Sequence, residues 1–384
     1  MVLDEFKKQF GSTEGVRMYQ APARINIIGE HVDYLGGSVL PAAIDFFIKA
    51  AIKPTERESY RFYSLNYESF YESSEITKSE KSPWVNYIMG VMYEFEKRGC
   101  KIPKFDLAFG GDIPTGSGLS SSAALEVVIG YALNEIFQFG MDKKEIAQIG
   151  QSAENHFVGT KCGIMDQFAI AFGKENHCIE LNTSTLEYKY HPFRTGRYKF
   201  SLVQSNVKHT LNESEYNTRR IQCESALRKI NEFRRKENLP PIAELYDLSK
   251  DFTSDSIESL TLEEKLRIRH VLTEKERTKA VIESLKKEDF HSLGIALTEC
   301  HWSLSKNFEV SCVETDFLVN HLNEKGALGS RMIGGGFGGC VLVLGEEGWI
   351  DSIFEDVNQK YKASFGREAD LLNFKIADGV RRIL

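Results

Sequence analysis

Small and hydroxyl-bearing side chains crowd the segment Gly110-Gly-Asp-Ile-Pro-Thr-Gly-Ser-Gly-Leu-Ser-Ser-Ser-Ala123. Glycine lets backbone N–H groups come close to a ligand. The apolar spacing that follows predicts a helix from Ser122, whose N-terminus offers unpaired N–H groups and the positive end of its dipole. The chemistry this supports is anion binding, a phosphate cradle, with hydroxyls at 120, 121 and 122 able to donate to phosphate or to ligate Mg²⁺. A serine-rich cap on a connecting loop is the alternative. Gly111 and Gly116 have Walker A spacing, but Ser117 stands where the essential lysine belongs, so the loop is not that P-loop.

A second glycine run, Gly334-Gly-Gly-Phe-Gly-Gly339, formally matches the dinucleotide fingerprint. That fingerprint must follow a strand and open a helix, whereas these glycines lead into Cys340-Val-Leu-Val-Leu, a strand pattern. What remains is a loop whose backbone approaches something closely, either a ligand or a neighbouring strand. Polar residues inside apolar surroundings form a third set: Arg24 at the start of a strand, Glu30, His31 and Asp33 just after it, and Asp166 within Gly163-Ile-Met-Asp-Gln-Phe168. Taken singly, the loop residues read as solvated and Asp166 as a helix cap or a satisfied buried acid. There is no GxSxG, so a serine hydrolase lacks its nucleophile.

These groups need elements to position them. Apolar runs at 24–28 and 46–52 suit buried strands, with further strands at 177–181, 186–190, 340–344 and 371–376. A helix is expected from Ser122 to Phe139 with Gly140 as its stop, and a second one capped by Asp142 and Glu145. The stretches 213–237 and 256–325 read as charged helices. The order is α+β. At 384 residues the chain is long enough for two domains, divided as 1–195 and 196–384.

Composition narrows the function classes. With 48 Lys+Arg against 55 Asp+Glu the net charge is −7, which lacks the basic footprint of a nucleic-acid or anionic-membrane binder. No run of 18 apolar residues exists, and MVLDEFKKQF does not resemble a signal peptide. The odd count of seven cysteines at irregular spacing does not read as a disulfide framework, and neither CxxC nor HExxH occurs. A reduced, cytoplasmic protein is expected. The pairs Arg219-Arg220, Arg234-Arg235 and Arg381-Arg382 are expected on solvated faces, and His156, Cys162, Cys300 and His301 in structural roles.

In combination the motifs carry a resemblance. Residues 21–41 (APARINIIGEHVDYLGGSVLP) resemble the galactokinase signature, residues 114–124 (PTGSGLSSSAA) the nucleotide loop of the GHMP kinase superfamily, and residues 329–340 (GSRMIGGGFGGC) its third motif. Segments 84–90, 152–168 and 203–223 are also galactokinase-like, so the likeness runs in order over nearly the whole chain. It implies a two-domain GHMP kinase fold, with a ribosomal S5 domain 2-like N-terminal domain that binds sugar and ATP, a C-terminal GHMP kinase domain, and an active site in the cleft. It implies Asp166 as the catalytic aspartate facing Arg24, and Glu30, His31, Asp33 and Tyr216 as holders of the sugar hydroxyls. Gly116, Ser117, Gly118, Ser120 and Ser121 would surround the ATP phosphates, and Ser122 and Glu154 would bind Mg²⁺. The expected reaction is ATP-dependent phosphorylation of the anomeric hydroxyl of D-galactose by a monomer, with Asp166 orienting that hydroxyl and taking its proton late.

Departures from the family pattern bear on the sugar. Ala23 replaces a glycine, Val32 a frequent Thr, Leu35 a common Asn, and Ile333 a usual Thr. A sister kinase acting on N-acetylgalactosamine or L-arabinose is therefore a second reading. A non-catalytic galactokinase-like sugar sensor is a third, but such sensors have a degraded nucleotide loop, and Gly118-Leu-Ser-Ser-Ser-Ala123 is complete.

Overall fold

The computed structural model describes residues 1–207 and 212–384, with side chains from Ser214 onward in the second stretch. Of the motif at 203–223, residues 208–211 thus lie outside the described residues. Residues 24–26 of the first expected strand and the whole of 46–52 lie on two long neighbouring strands, Arg17–Asn26 and Pro41–Pro54, which pair antiparallel; Ile27 and Ile28 fall just past the end of the first. Arg24 stands near the end of its strand, not at its start. These two strands centre a six-stranded sheet that also contains Phe105–Gly111, Tyr60–Ser64, Ser69–Ser73 and, on the opposite edge, Arg381–Arg382. Only Tyr60–Ser64 and Phe105–Gly111 run parallel.

Strand alternation sorts the faces of this sheet. Ala50, Ile52 and Leu107 enter the main core, whereas Ala51 and Ala108 meet Val2 and Phe6 of the first helix, Val2–Phe10. Helices Val85–Lys97, Ser121–Phe137, Lys143–Ser152 and Met165–Phe172 pack on the main-core side. The cap expected at Asp142 is present, with reciprocal bonds of 2.9 Å and 2.8 Å to Glu145. The preceding helix ends two residues earlier than its pattern suggests. Gln138 takes a left-handed conformation (φ 55°) so that Phe137 and Phe139 can pack together beside Phe95.

A four-stranded antiparallel sheet is built from Gly329–Met332, Cys340–Glu346, Tyr198–Gln204 and Asp370–Asn373. Val203, Val341 and Val343 pack on helices Val313–Glu324 and Trp349–Phe365, and Leu202, Leu342 and Leu344 point into the main core. Helices Asn212–Lys236, Leu262–Lys286 and Phe290–Ser303 pack in sequence on one another, and the last lies against strand Gly329–Met332. Ser38–Val39, His177–Asn182 and Tyr188–Pro192 make a small third sheet. The architecture is α+β. No helix among the described residues is long and apolar enough to cross a membrane, and all seven cysteines are free thiols.

Candidate functional site

The strand Arg17–Asn26 delivers Arg24 to the edge of a cavity of about 750 Å³, where its guanidinium is almost wholly buried. Arg24 donates from Nε to Asp166 Oδ1 (2.6 Å) and from Nη2 to Asp166 Oδ2 (2.7 Å), a bidentate pair. Its Nη1 donates to the Gly118 carbonyl at 2.6 Å, tying the pair to the glycine loop. Asp166 occupies the first turn of helix Met165–Phe172, where the helix dipole favours a negative charge. Its carboxylate keeps partial exposure toward the cavity.

Loop residues 114–120 and the first turn of helix Ser121–Phe137 form one wall. Ser120 is the N-cap residue, yet its side chain makes no capping bond to the helix. Held at φ 63°, it turns its hydroxyl to Asp166 Oδ2. The cap reading thus fails for Ser120, and the first-turn N–H groups have no capping side chain. Ser117 donates its hydroxyl to the Pro114 carbonyl (2.7 Å), so it braces the loop from within. The second glycine run packs on this loop backbone to backbone. A Cβ on Gly334 would lie 2.8 Å from the Gly118 carbonyl oxygen, closer than any side chain tolerates. The run serves close approach of two loops, and it leads into a strand as its pattern requires.

Glu30, His31, Asp33 and Tyr216 also line this cavity. Glu30 and His31 are buried, not solvated. Glu30 Oε1 accepts from Arg331 Nη2 (3.0 Å) and the Gly334 N–H (3.2 Å). Burial lifts the Glu30 carboxyl above its usual range, against the pull of Arg331 and Arg24. His31 has a left-handed backbone (φ 56°) and lies between the Phe308 and Tyr216 rings, at 4.8 Å and 5.4 Å. Burial, with His270 and Arg219 nearby, lowers its pKa to about 3, so the imidazole is neutral. Its Nδ1 pairs with Tyr34 Oη at 2.9 Å, while Nε2, beside the Gly335 backbone, is left without a hydrogen bond of ordinary geometry.

Asp33 reaches the cavity because residue 163 is glycine: a Cβ there would sit 1.9 Å from Asp33 Oδ2. Burial, then repulsion from Asp166 and Glu30, raises its pKa from 3.8 to about 7. Between those two values the native state holds a proton that the unfolded chain has released. This contribution to stability is full below pH 3.8 and disappears as pH climbs through about 7. Asp33→Asn is therefore expected to flatten the fall in stability over that window, as read by thermal denaturation of the ligand-free protein at several pH values. An unchanged slope would refute the shift.

Ser122 Oγ lies 3.4 Å from Glu154 Oε1 on the cavity wall. Behind them, Gln167 Nε2 donates to both Glu154 Oε2 and Glu126 Oε2 at 3.0 Å each. Burial raises both carboxyls; repulsion by Glu154 adds for Glu126, and repulsion by Asp166 for Glu154. Among the described residues no group of three or more His, Cys, Asp or Glu side chains is arranged to hold a metal ion.

Arg24, Glu30, His31, Asp33, Gly116, Ser117, Gly118, Ser120, Ser121, Ser122, Glu154, Asp166 and Tyr216 all line this one cavity. Other features of the site carry no local sequence signal. A smaller cavity of about 140 Å³ is walled by Ile48, Tyr67, Trp84, Phe109 and Leu125, and it shares Thr115, Ser121 and Ser122 with the larger one. Its aromatic rings come from three separate elements, so no local pattern announces it. Arg219 and Arg220 are only partly exposed and do not lie free in solvent. Arg219 donates to the Phe308 and Glu309 carbonyls (2.9 Å and 2.8 Å) and Arg220 to the Lys161 carbonyl (2.9 Å), fixing the helix that carries Tyr216.

The chain matches three family descriptions: "Galactokinase galactose-binding signature" at residues 4–54, "GHMP kinases N terminal domain" at 86–174, and "GHMP kinases C terminal" at 281–363. It is 43% identical over 365 residues to the galactokinase of Thermotoga petrophila, covering 95% of this chain and 99% of that one. The crystal structure of Lactococcus lactis galactokinase complexed with galactose superposes with a TM-score of 0.94 at 33% identity, covering 99% and 98% of the two chains. The Methanococcus jannaschii mevalonate kinase structure shares the fold, with a TM-score of 0.65 at 16% identity over 94% and 98%.

Proposed function

The chain belongs to the galactokinase family of GHMP kinases, and from that premise we propose that it transfers the γ-phosphoryl group of ATP to the anomeric hydroxyl of D-galactose. The observation that carries this reading is the joint placement, in one cavity, of the Arg24–Asp166 pair, an uncapped helix N-terminus and the wall of Glu30, His31, Asp33 and Tyr216. Phosphoryl transfer needs in-line positioning and charge neutralisation more than covalent help. Gly116, Gly118, Ser121 and the first-turn N–H groups receive the phosphates; Ser117 and Ser120 shape that loop through the bonds described above.

His31 Nε2 and the carboxyls of Glu30 and Asp33 select the sugar by its hydroxyls, with Tyr216 closing the side. The anomeric hydroxyl points at Asp166. As its oxygen bonds to the γ-phosphorus and the bond to the departing ADP breaks, its proton passes to Asp166. Arg24 keeps the carboxylate aligned and offsets charge on the transferred group. Ser122 and Glu154 fit a magnesium ion: hard cations take carboxylate, hydroxyl and phosphate oxygens, and a cation relieves the crowding of carboxyls at 126, 154 and 166. Bound there with ATP, the ion would neutralise phosphate charge.

The small aromatic cavity, which shares Thr115, Ser121 and Ser122 with the larger one but not Asp166, is the seat for the adenine ring. Trp84→Ala should raise the KM for ATP about tenfold, as loss of one aromatic stacking partner does, with the KM for sugar little changed. Equal changes in the two constants would move the adenine elsewhere. The division at 195/196 belongs to the same reading; it is supported by Tyr198–Gln204 opening the four-stranded sheet, with Arg381–Arg382 returning to the first. The substrate is tested by ADP release over galactose, N-acetylgalactosamine, L-arabinose, glucose and mevalonate, with phosphorus NMR locating the product phosphate. Galactose should dominate with phosphate at C1. Preference for another sugar would move the substrate, and binding without turnover would make the protein a sensor.

A further inference from the structure

The loop that carries Glu30 and His31 is held from the other half of the chain by a clamp of fully buried side chains. Glu274 Oε1 accepts from the N–H groups of Gly29 (2.8 Å) and Glu30 (3.1 Å). One helical turn earlier, His270 Nε2 meets the Glu30 carbonyl at 3.0 Å, which requires a proton on Nε2. Its Nδ1 then accepts from Ser303 Oγ at 2.9 Å, which fixes that tautomer. A single turn of helix Leu262–Lys286 thus grips three backbone polar groups of two adjacent loop residues.

The grip is itself braced. Arg277 Nε donates to Glu274 Oε2 (2.8 Å), and Cys300 Sγ to Oε1 (3.2 Å). Burial alone would lift the Glu274 carboxyl, but the guanidinium groups of Arg277 and Arg331 help hold it down at about 2, so it is an anion at neutral pH. Gly29 (φ 96°) and His31 (φ 56°) both have positive φ, and for His that conformation is strained. A strained turn persists where its surroundings over-determine it.

We propose that Glu274 and His270 are positioning residues for sugar binding, setting the backbone at 29–31 so that Glu30 and His31 face the cavity. Neither lines the cavity, and their action reaches the sugar only through the loop. The inference rests on the galactose reading solely for the identity of the sugar. Because the loop contacts sugar hydroxyls throughout the reaction, its displacement weakens ground state and transition state alike. That raises KM and spares kcat.

The test combines steady-state kinetics on D-galactose and ATP with amide hydrogen exchange of the ligand-free protein. In Glu274→Ala the KM for galactose should rise about tenfold or more, with kcat and the KM for ATP within about threefold of wild type. Exchange at the Gly29 and Glu30 amides should quicken. Glu274→Gln keeps the volume and one acceptor oxygen and should fall between. His270→Gln retains a donor at the reach of Nε2 and should stay near wild type, whereas His270→Leu should show the raised sugar KM. These three variants carry the test if the alanine protein does not fold. Parallel changes in both KM values and kcat, or unaltered exchange at Gly29 and Glu30, overturn the clamp. A wild-type protein inactive on galactose defeats the substrate instead, and the exchange comparison then decides the clamp alone.

Discussion

Asp166→Asn is expected to lower kcat by about 10²–10⁴-fold, the range spanned by loss of a general base, with the affinity for sugar largely kept. The carboxylate accepts two guanidinium bonds from Arg24 and one hydroxyl bond from Ser120, so its orientation is set before any substrate arrives. Asn preserves the shape but cannot take a proton at neutral pH. Glu30, His31 and Asp33 stand in separate loop positions and continue to hold the sugar. Single-turnover ADP release, beside calorimetric titration with galactose, separates the two quantities. Turnover near wild type would show that Asp166 is no base, and a sugar affinity lost in proportion would show that it acts by binding.

The second large effect concerns stability. Arg331 is fully buried and donates to the carbonyls of Asn26, Ile27 (3.0 Å) and Met332 (3.1 Å), and to Glu30 Oε1 (3.0 Å). Arg331→Met leaves three carbonyls without this donor and a buried carboxyl without its counter-charge. Removing one partner of a buried ion pair typically costs about 3–5 kcal/mol, and denaturant unfolding should register a loss of that order. Adding Glu30→Gln to the same protein removes the stranded charge and should recover at least about 1 kcal/mol. If the double variant is no more stable than the single one, the loss lies in the backbone acceptors and not in the charge.

Residues whose chemistry shows in local pattern were legible from the sequence. The glycine-serine loop ahead of a helix, the acidic and imidazole cluster after the first long strand, and Asp166 between apolar neighbours all converge on one cavity. The strand after the second glycine run and the capping box at Asp142 were equally plain, because each depends on neighbours within a few residues. Glu274, His270 and Arg331 were not legible. Each reads as a helix or strand residue of ordinary polarity, and its meaning lies in partners more than 230 positions away. The aromatic cavity of Tyr67, Trp84 and Phe109 was hidden as well, because its rings come from separate segments that share no local pattern. Arg219 and Arg220 misled in the opposite direction: two adjacent arginines on a charged helix suggest solvent, yet carbonyls at 161, 308 and 309 capture them.

The clamp on the sugar loop also bears on the order in which the molecule takes shape. Residues 26–31 leave the ribosome roughly 240–300 positions ahead of the Glu274 and Arg331 side chains that secure them. Until the later segment arrives, the peptide groups at 26–30 lack those protein partners, and nothing pins the left-handed turn at His31. Closing so wide a chain loop is entropically costly and slow. A nascent chain can therefore assemble the long strand pair and its covering helices early, while the sugar-binding wall must wait for synthesis of the far half.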